Sequence, residues 1–320
     1  MRRFGAILFA LASAAAKAQS GDDALQWLQK MAGAAERLNY NGVVVYRSGN
    51  QTETSRVVHA VENGRELEHV EGLDGSPREI LRENDEVRCV LPENRLIVVE
   101  RRSARRPFPA LPKENLGSLT DYYLVSKGPP ARVAGIDSRS LRIEPKDDLR
   151  YGRQFWFDGN TGLLLKAELF DEKGDSKETF RFTEVRIGPV DRSALKMHSN
   201  VQSKDWRVHT VRSSVTKVDE ETWALRTPLP GFRLVSSMKR KVGADSPEVT
   251  HLMYSDGLSA ISVFAQPVAA GGTPLQGGSA SLGAVGVYRR AVGGFQILVM
   301  GDVPLQTLKI VGDGMEVRRK

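Results

Sequence analysis

The sequence predicts a mostly β, α+β protein: a large N-terminal unit whose strands curve into an open β-barrel with helices, followed by a smaller C-terminal α+β domain. Three observations carry this expectation. Short runs rich in β-branched and aromatic residues recur between residues 43 and 187, separated by Asn, Gly, Asp and Pro, as in an antiparallel meander. About ten such strands are too many for a flat, unclosed sheet, so strong curvature or partial closure is expected. After residue 190 the pattern lapses into a polar stretch and then resumes as a second, shorter set of strands. The chain has 320 residues, 40% apolar and 27% charged, with 30 Gly and 15 Pro; this suffices for two ordinary cores and argues against disorder, collagen and coiled coil.

In order along the chain, Arg2 and Arg3 precede an uncharged run from Phe4 to Ala16, and Ala16-Lys17-Ala18 offers small residues to a signal peptidase. Residues 1–18 therefore read as a secretory signal peptide, too short to span a bilayer, with an exported mature chain from about Gln19. Loss of Arg2, Arg3 and Lys17 lowers the formal charge from +7 to +4, so the mature chain is only mildly basic. Ser20 with Asp23 is a capping-box pattern, and Leu25, Leu28, Ala32, Ala35 and Leu38, with Met31 beside them, predict one amphipathic helix. Strands are expected at 43–46, 56–58, 66–70, 86–90 and 96–99. A basic, proline-flanked segment from Arg101 to Pro112 follows, then a short helix over 113–121. Alternation resumes with Leu141 and Ile143, Phe155-Trp156-Phe157, the face Leu163, Leu165, Ala167 and Leu169, and Phe180 with Phe182, the last pair entered through the turn at 171–175. The large unit spans 19–190. Residues 191–217 read as the linker or docking strand, and 218–320 as the small domain, with strands at 233–237, 249–254, 258–266, 285–290 and 295–300, a Gly-rich stretch over 269–278 and a closing helix over 304–311.

Motifs of common enzymes are absent: there is no G-x-S-x-G, H-E-x-x-H, P-loop, G-x-G-x-x-G or EF-hand series. No catalytic residue, cofactor or metal is expected. Of the five histidines, His59 and His69 lie on neighbouring strand runs, while His198, His209 and His251 have no cysteine or carboxylate at ligand spacing; all read as surface or packing residues, with a zinc site assembled in space left open, and Asp147-Asp148 reads as a solvated turn. Cys89 is the single cysteine, which rules out an intramolecular disulfide and reads as a small apolar residue in a strand. Two features point to binding. Arg101, Arg102, Arg105 and Arg106 place four guanidinium groups beside Phe108, either as a solvated loop or as an anion-recognition loop for the phosphates of lipid head groups. Export argues against nucleic acid as the partner. The curved sheet itself either fills its interior or leaves an apolar cavity, and Val45, Val57, Leu96, Val98, Leu141, Ile143, Phe155 and Leu165 could line such a lipid site or form a core.

An ordered set of short matches now carries a resemblance. Pro77-Arg78-Glu79-Ile80, Arg132-Val133-Ala134-Gly135, Ile143-Glu144-Pro145-Lys146-Asp147, Arg150-Tyr151-Gly152, Phe155-Trp156-Phe157-Asp158, Thr161-Gly162-Leu163-Leu164-Leu165-Lys166, Leu229-Pro230-Gly231-Phe232 and Tyr254-Ser255-Asp256-Gly257-Leu258 cover most of the mature chain. The set resembles the RseB/MucB family of periplasmic sigma-E regulators. The resemblance implies a LolA/LolB-like open barrel plugged by helices, a smaller C-terminal domain, and a periplasmic location. It also implies binding to the periplasmic part of a membrane anti-sigma factor (RseA or MucA), shielding of that factor from a DegS-type first protease, and release by lipopolysaccharide or related lipid; in species with the mucoid system the outcome includes alginate control. Such a protein is a two-ligand switch with reciprocal coupling. No family motif maps the anti-sigma contacts onto particular residues here, and the residues leave a homo-oligomer open. The competing reading is a periplasmic lipid or lipoprotein carrier, against which the second domain speaks, since LolA and LolB lack it. A secreted hydrolase would need a histidine-centred cluster.

Overall fold

The computed structural model describes residues 23–101, 116–198, 205–211, 223–241, 248–268 and 276–317. Residues 1–18, expected to be a signal peptide, Ser20, and Arg102, Arg105 and Arg106 lie outside them. The first helix, α1, covers 23–37. It buries Ala24, Leu28, Met31, Ala32, Ala34 and Ala35, so the apolar stripe is the expected one turned slightly: Ala24 takes the place foreseen for Leu25, which stays partly covered.

Eleven strands follow: β1 (Tyr40–Ser48), β2 (Gln51–Glu62), β3 (Arg65–Gly72), β4 (Glu79–Glu83), β5 (Glu86–Leu91), β6 (Leu96–Arg101), then α2 (Leu116–Tyr122), β7 (Tyr123–Val133), β8 (Ile136–Pro145), β9 (Gly152–Asp158), β10 (Leu164–Phe170) and β11 (Ser176–Ile187). Together with β12 (Arg207–Val211) they make one twelve-stranded sheet in the order β12-β6-β5-β4-β3-β2-β1-β11-β10-β9-β8-β7. Tight turns set the registers. Between β2 and β3 the two-residue turn is Asn63-Gly64, with φ of 51° and 77°, the pair of left-handed conformations that an Asn-Gly hairpin adopts with least strain.

The sheet is strongly curled. β11 and β7 are four strands apart, a gap of about 19 Å in a flat sheet at roughly 4.8 Å per strand, yet they approach within 8 Å between Cα atoms. Among the described residues the terminal strands β12 and β7 are not bonded to each other, so the barrel stays open. β7 carries Pro129 and Pro130 where its register with β8 shifts, between Gly128 and Ala131; proline lacks the N–H that a central strand needs, which fits a place at the sheet edge. The other edge differs from the rest of the sheet: β12, from the segment that leaves the large unit, lies parallel to β6, Arg207 opposite Leu96 and His209 opposite Val98.

The second unit has a six-stranded sheet in the order β14-β15-β16-β19-β18-β17: β14 (Arg233–Lys241), β15 (Glu248–Ser255), β16 (Ala260–Pro267), β17 (Gly278–Leu282), β18 (Val285–Val292) and β19 (Phe295–Gly301). Helix α3 (Leu305–Gly314) packs on β18 and β19, burying Leu308 and Val311 against Ile261, Val263, Ile297 and Val299. A two-stranded ribbon, β13 (Trp223–Leu225) with β20 (Met315–Val317), closes this core through Trp223 and Met315. The expected α+β class therefore holds: a mostly β protein in which two separate sheets each carry their own core.

Candidate functional site: the sheet interior and the junction between the sheets

The interior of the curled sheet is occupied by α1. Leu141, Ile143 and Phe155, three of the expected lining residues, are buried together with Phe157, Leu164, Leu119 and Tyr123 against Ala24, Leu28, Met31 and Ala32 of the helix. Trp27 pins the same helix at the rim: its ring meets Phe157 edge-on at 5.7 Å, with the Lys127 ammonium and Arg139 guanidinium each 4.8 Å from the ring centre. Leu165 and Val57 belong to an adjoining cluster with Tyr40, Val44, Trp156, Phe180 and Phe182, and Ala167 touches both clusters. Val45, Leu96 and Val98 are partly covered and are members of neither; Leu96 and Val98 lie far along the sheet, beside β12. Arg101, at the end of β6, is exposed, with its Nε 3.8 Å from Glu86. A separate cleft of about 500 Å³ beside the short 3-10 turn at Arg192–Leu195 is lined by Arg56, Arg186, Glu184 and Asp191 among others, a mixed-charge wall unsuited to an acyl chain.

The junction between the two units is built around Arg150. Its side chain is wholly buried, and each face of the guanidinium fork is used: Nε lies 3.0 Å from Asp147 Oδ1, Nη1 3.0 Å from Asp256 Oδ2, and Nη2 donates to the Pro230 carbonyl at 2.6 Å. The rings of Tyr122, Tyr123 and Phe232 stand 5.0, 5.4 and 4.9 Å from it. Asp256 is equally buried and fully satisfied: the Leu258 and Ser259 amides donate to Oδ1, and the Tyr123 hydroxyl donates to Oδ2 at 2.7 Å. Burial, reinforced by the Asp256 charge and hydrogen bond, holds the Tyr123 phenol well above its ordinary value, so it serves as a permanent donor. Gly231, at φ 80°, sits under the Tyr122 ring, where a Cβ would come within 2.8 Å of ring atoms. Around this centre Arg153 pairs with Asp302 and reaches Ser259, Gln306 donates to the Asp148 carbonyl, and Thr307 donates to the Leu149 carbonyl. Leu149 enters the core of the second sheet, and Leu258 that of the first.

Sequence reasoning read Asp147 as part of a solvated turn and gave Arg150 no role. The signal was present in another form. Four of the short motifs that carry the resemblance, Ile143-Glu144-Pro145-Lys146-Asp147, Arg150-Tyr151-Gly152, Leu229-Pro230-Gly231-Phe232 and Tyr254-Ser255-Asp256-Gly257-Leu258, meet at this one place, Pro230 and Asp256 lying 80 and 106 residues from Arg150 in the chain.

Comparison with known proteins follows the same two-unit division. Residues 23–208 match the model of the MucB/RseB N-terminal domain, and residues 217–316 that of the MucB/RseB C-terminal domain. The chain belongs to the MucB/RseB family. The sigma factor AlgU regulatory protein MucB of Pseudomonas aeruginosa is 30% identical over 97% of this chain and 96% of its own. The sigma-E factor regulatory protein RseB of Escherichia coli K12 is 26% identical over 98% of this chain and 95% of its own. Among solved structures, the Pseudomonas aeruginosa MucA/MucB complex aligns with a TM-score of 0.73 at 28% identity, covering 93% of this chain and 100% of that one. MucB in complex with MucA(peri) aligns with a TM-score of 0.70 at 26% identity, covering 92% and 99%. The MucB/RseB relatives are named as regulators of sigma factors.

Proposed function

We propose that this MucB/RseB-family chain is a periplasmic regulator that binds the periplasmic domain of a MucA- or RseA-type anti-sigma factor, keeps it from the first protease that would cut it, and lets go when lipopolysaccharide or a related lipid binds. The observation that carries the reading is the end-to-end match, both units in order, to proteins named as sigma-factor regulators, one of them solved with MucA. The junction around Arg150 supports coupling between the units, because a buried, hydrogen-bonded centre shared by both makes a change of state in one felt by the other.

In this account acyl chains enter the curled sheet along Leu141, Ile143 and Phe155, which requires α1 to give way, while Arg101, Arg102, Arg105 and Arg106 meet the phosphates. Coupling is then the free-energy difference between a lipid-bound state with α1 displaced and a partner-bound state with α1 seated. The test is a protection assay: a purified MucA/RseA-type periplasmic domain is incubated with its DegS-type protease, with and without this chain and lipopolysaccharide. Protection that lipopolysaccharide removes supports the reading. Charge reversal of the four arginines should weaken that removal at low salt, and unchanged lipid sensitivity would discard the arginine mechanism. Cleavage indifferent to the chain would discard the regulator and favour a lipid or lipoprotein carrier.

A further inference from the structure

One cluster of side chains lies outside both the interior and the junction. His69 on β3 and Glu79 on β4 stand diagonally across a ladder in which His69 faces Leu81 and Glu71 faces Glu79. His198 is brought over them by the segment that leaves the turn at Arg192–Leu195. One donor atom from each of the three lies within 4.8 Å of the others, and the two imidazole rings meet edge-on with centres 4.9 Å apart. His69 and Glu79 are almost wholly buried, whereas half of the His198 side chain is exposed.

Hydrogen bonding fixes the chemistry of His69. Its Nδ1 lies 2.9 Å from the Ala194 carbonyl, which can only accept, so Nδ1 carries a proton. In a neutral ring Nε2 then presents a bare lone pair, and it points at Glu79 Oε2, 3.0 Å away, which as a carboxylate also only accepts. Two buried acceptors at that distance repel unless a proton, on the ring or on the carboxyl, or a metal ion lies between them. A distal N–H donated to a backbone carbonyl is also the outer-sphere arrangement that orients a metal-binding imidazole. Glu79 is oriented in turn, since the His198 amide donates to its Oε2 at 2.8 Å.

We propose that His69, Glu79 and His198 form a three-ligand site for a zinc-class divalent cation, with a fourth position open to water, that clamps residues 194–198 onto β3 and β4. Two imidazole nitrogens and one carboxylate oxygen suit zinc rather than calcium or magnesium, which favour all-oxygen shells. Zinc–ligand bonds of about 2.0–2.1 Å at tetrahedral angles place neighbouring donors roughly 3.3 Å apart, close to the 3.0 Å between His69 and Glu79. His198, half in solvent, has the rotamer freedom to close the remaining distance. The clamp would hold the start of the segment that leads to β12 and the second unit.

Zinc titration of the untagged mature chain tests this, read by calorimetry, by the visible bands of cobalt(II) in its place, and by amide exchange over 191–198. The expected result is one zinc per chain, tetrahedral cobalt bands and slowed exchange in that segment. His198→Ala, at a half-exposed position and with unchanged circular dichroism, should lower zinc affinity about tenfold or more, and His69→Gln should abolish binding. Failure to take up zinc or cobalt at micromolar concentration would overturn the site in favour of a proton-bridged imidazole–carboxyl pair. Uptake unaltered by His198→Ala would overturn it equally, whether or not the His69 variant folds.

Discussion

His59 and Glu68 show what a residue in a curled sheet can be made to do. The His59 ring is buried, stacked on Tyr40 at 5.0 Å, with Nδ1 2.8 Å from the Leu38 carbonyl. Burial pushes its pKa down, but the Glu66 carboxylate 3.5 Å from Nε2, the Leu38 carbonyl and the charge of Glu68 outweigh it, and the net displacement is upward. Across the ladder, burial pushes the Glu68 carboxyl up to about 7, only partly offset by His59 and Arg82 and reinforced by Glu66. Both groups bind their protons more tightly folded than unfolded, so their contribution to stability is greatest at low pH and is lost as pH rises through these values. For Glu68 that window runs from about 4.5 to about 7. Because Glu68 keeps some solvent contact, direction rather than size is the prediction. Glu68→Gln should be less destabilised than the wild type on going from pH 5 to pH 8, as read from urea midpoints; parallel slopes for the two proteins would contradict it. None of this was legible beforehand, because a sequence shows two histidines on neighbouring strands but not which carboxylates they face.

At the scale of elements, α1 is the piece on which the lipid mechanism turns. Its apolar stripe was readable from 3.6-residue periodicity; that it would fill the barrel was not, since Leu141, Ile143 and Phe155 suit a cavity wall and a core equally well. Leu28 is fully buried between helix and sheet. Leu28→Ala should cost about 2–5 kcal/mol in chemical denaturation, and if lipid displaces α1 it should also strengthen lipid binding. A loss below about 1 kcal/mol would mean that the helix is not seated as described. Strands were recognised where alternation was clean, as in β1, β9, β10 and β11. β7 was not, because Gly128-Pro129-Pro130 reads as a breaker, and edge position is a tertiary fact that no local pattern encodes. β12 answers to the docking-strand alternative for 191–217, which the sequence left level with a linker because an edge strand need bury little.

The whole molecule is two sheets joined at a junction whose centre is the buried Arg150–Asp256 pair, with Arg153–Asp302, Thr307 on the Leu149 carbonyl and the Ala284 amide on Ser48 around it, and their separate existence was visible in the sequence while their union was not. Arg150 and Asp256 satisfy each other in a site without solvent, so removing one partner strands the other's charge. Arg150→Met should lower stability by about 3–5 kcal/mol and split a single thermal transition into two, one for each sheet, in calorimetry. A single unshifted transition would show that the surrounding contacts, Arg153–Asp302 and Thr307 on Leu149 among them, couple the units without Arg150. Sequence reasoning found the motifs at this junction through their resemblance to a family, yet assigned them no task, because residues 80 and 106 positions apart declare their contact only when folded.

The central claim is that this two-unit chain recognises the periplasmic domain of an anti-sigma factor. Calorimetric titration of the mature protein with that segment from its own organism, with and without lipopolysaccharide, tests it most directly. The account predicts saturable binding that lipopolysaccharide weakens. No binding of the segment, with lipid still bound, would contradict it.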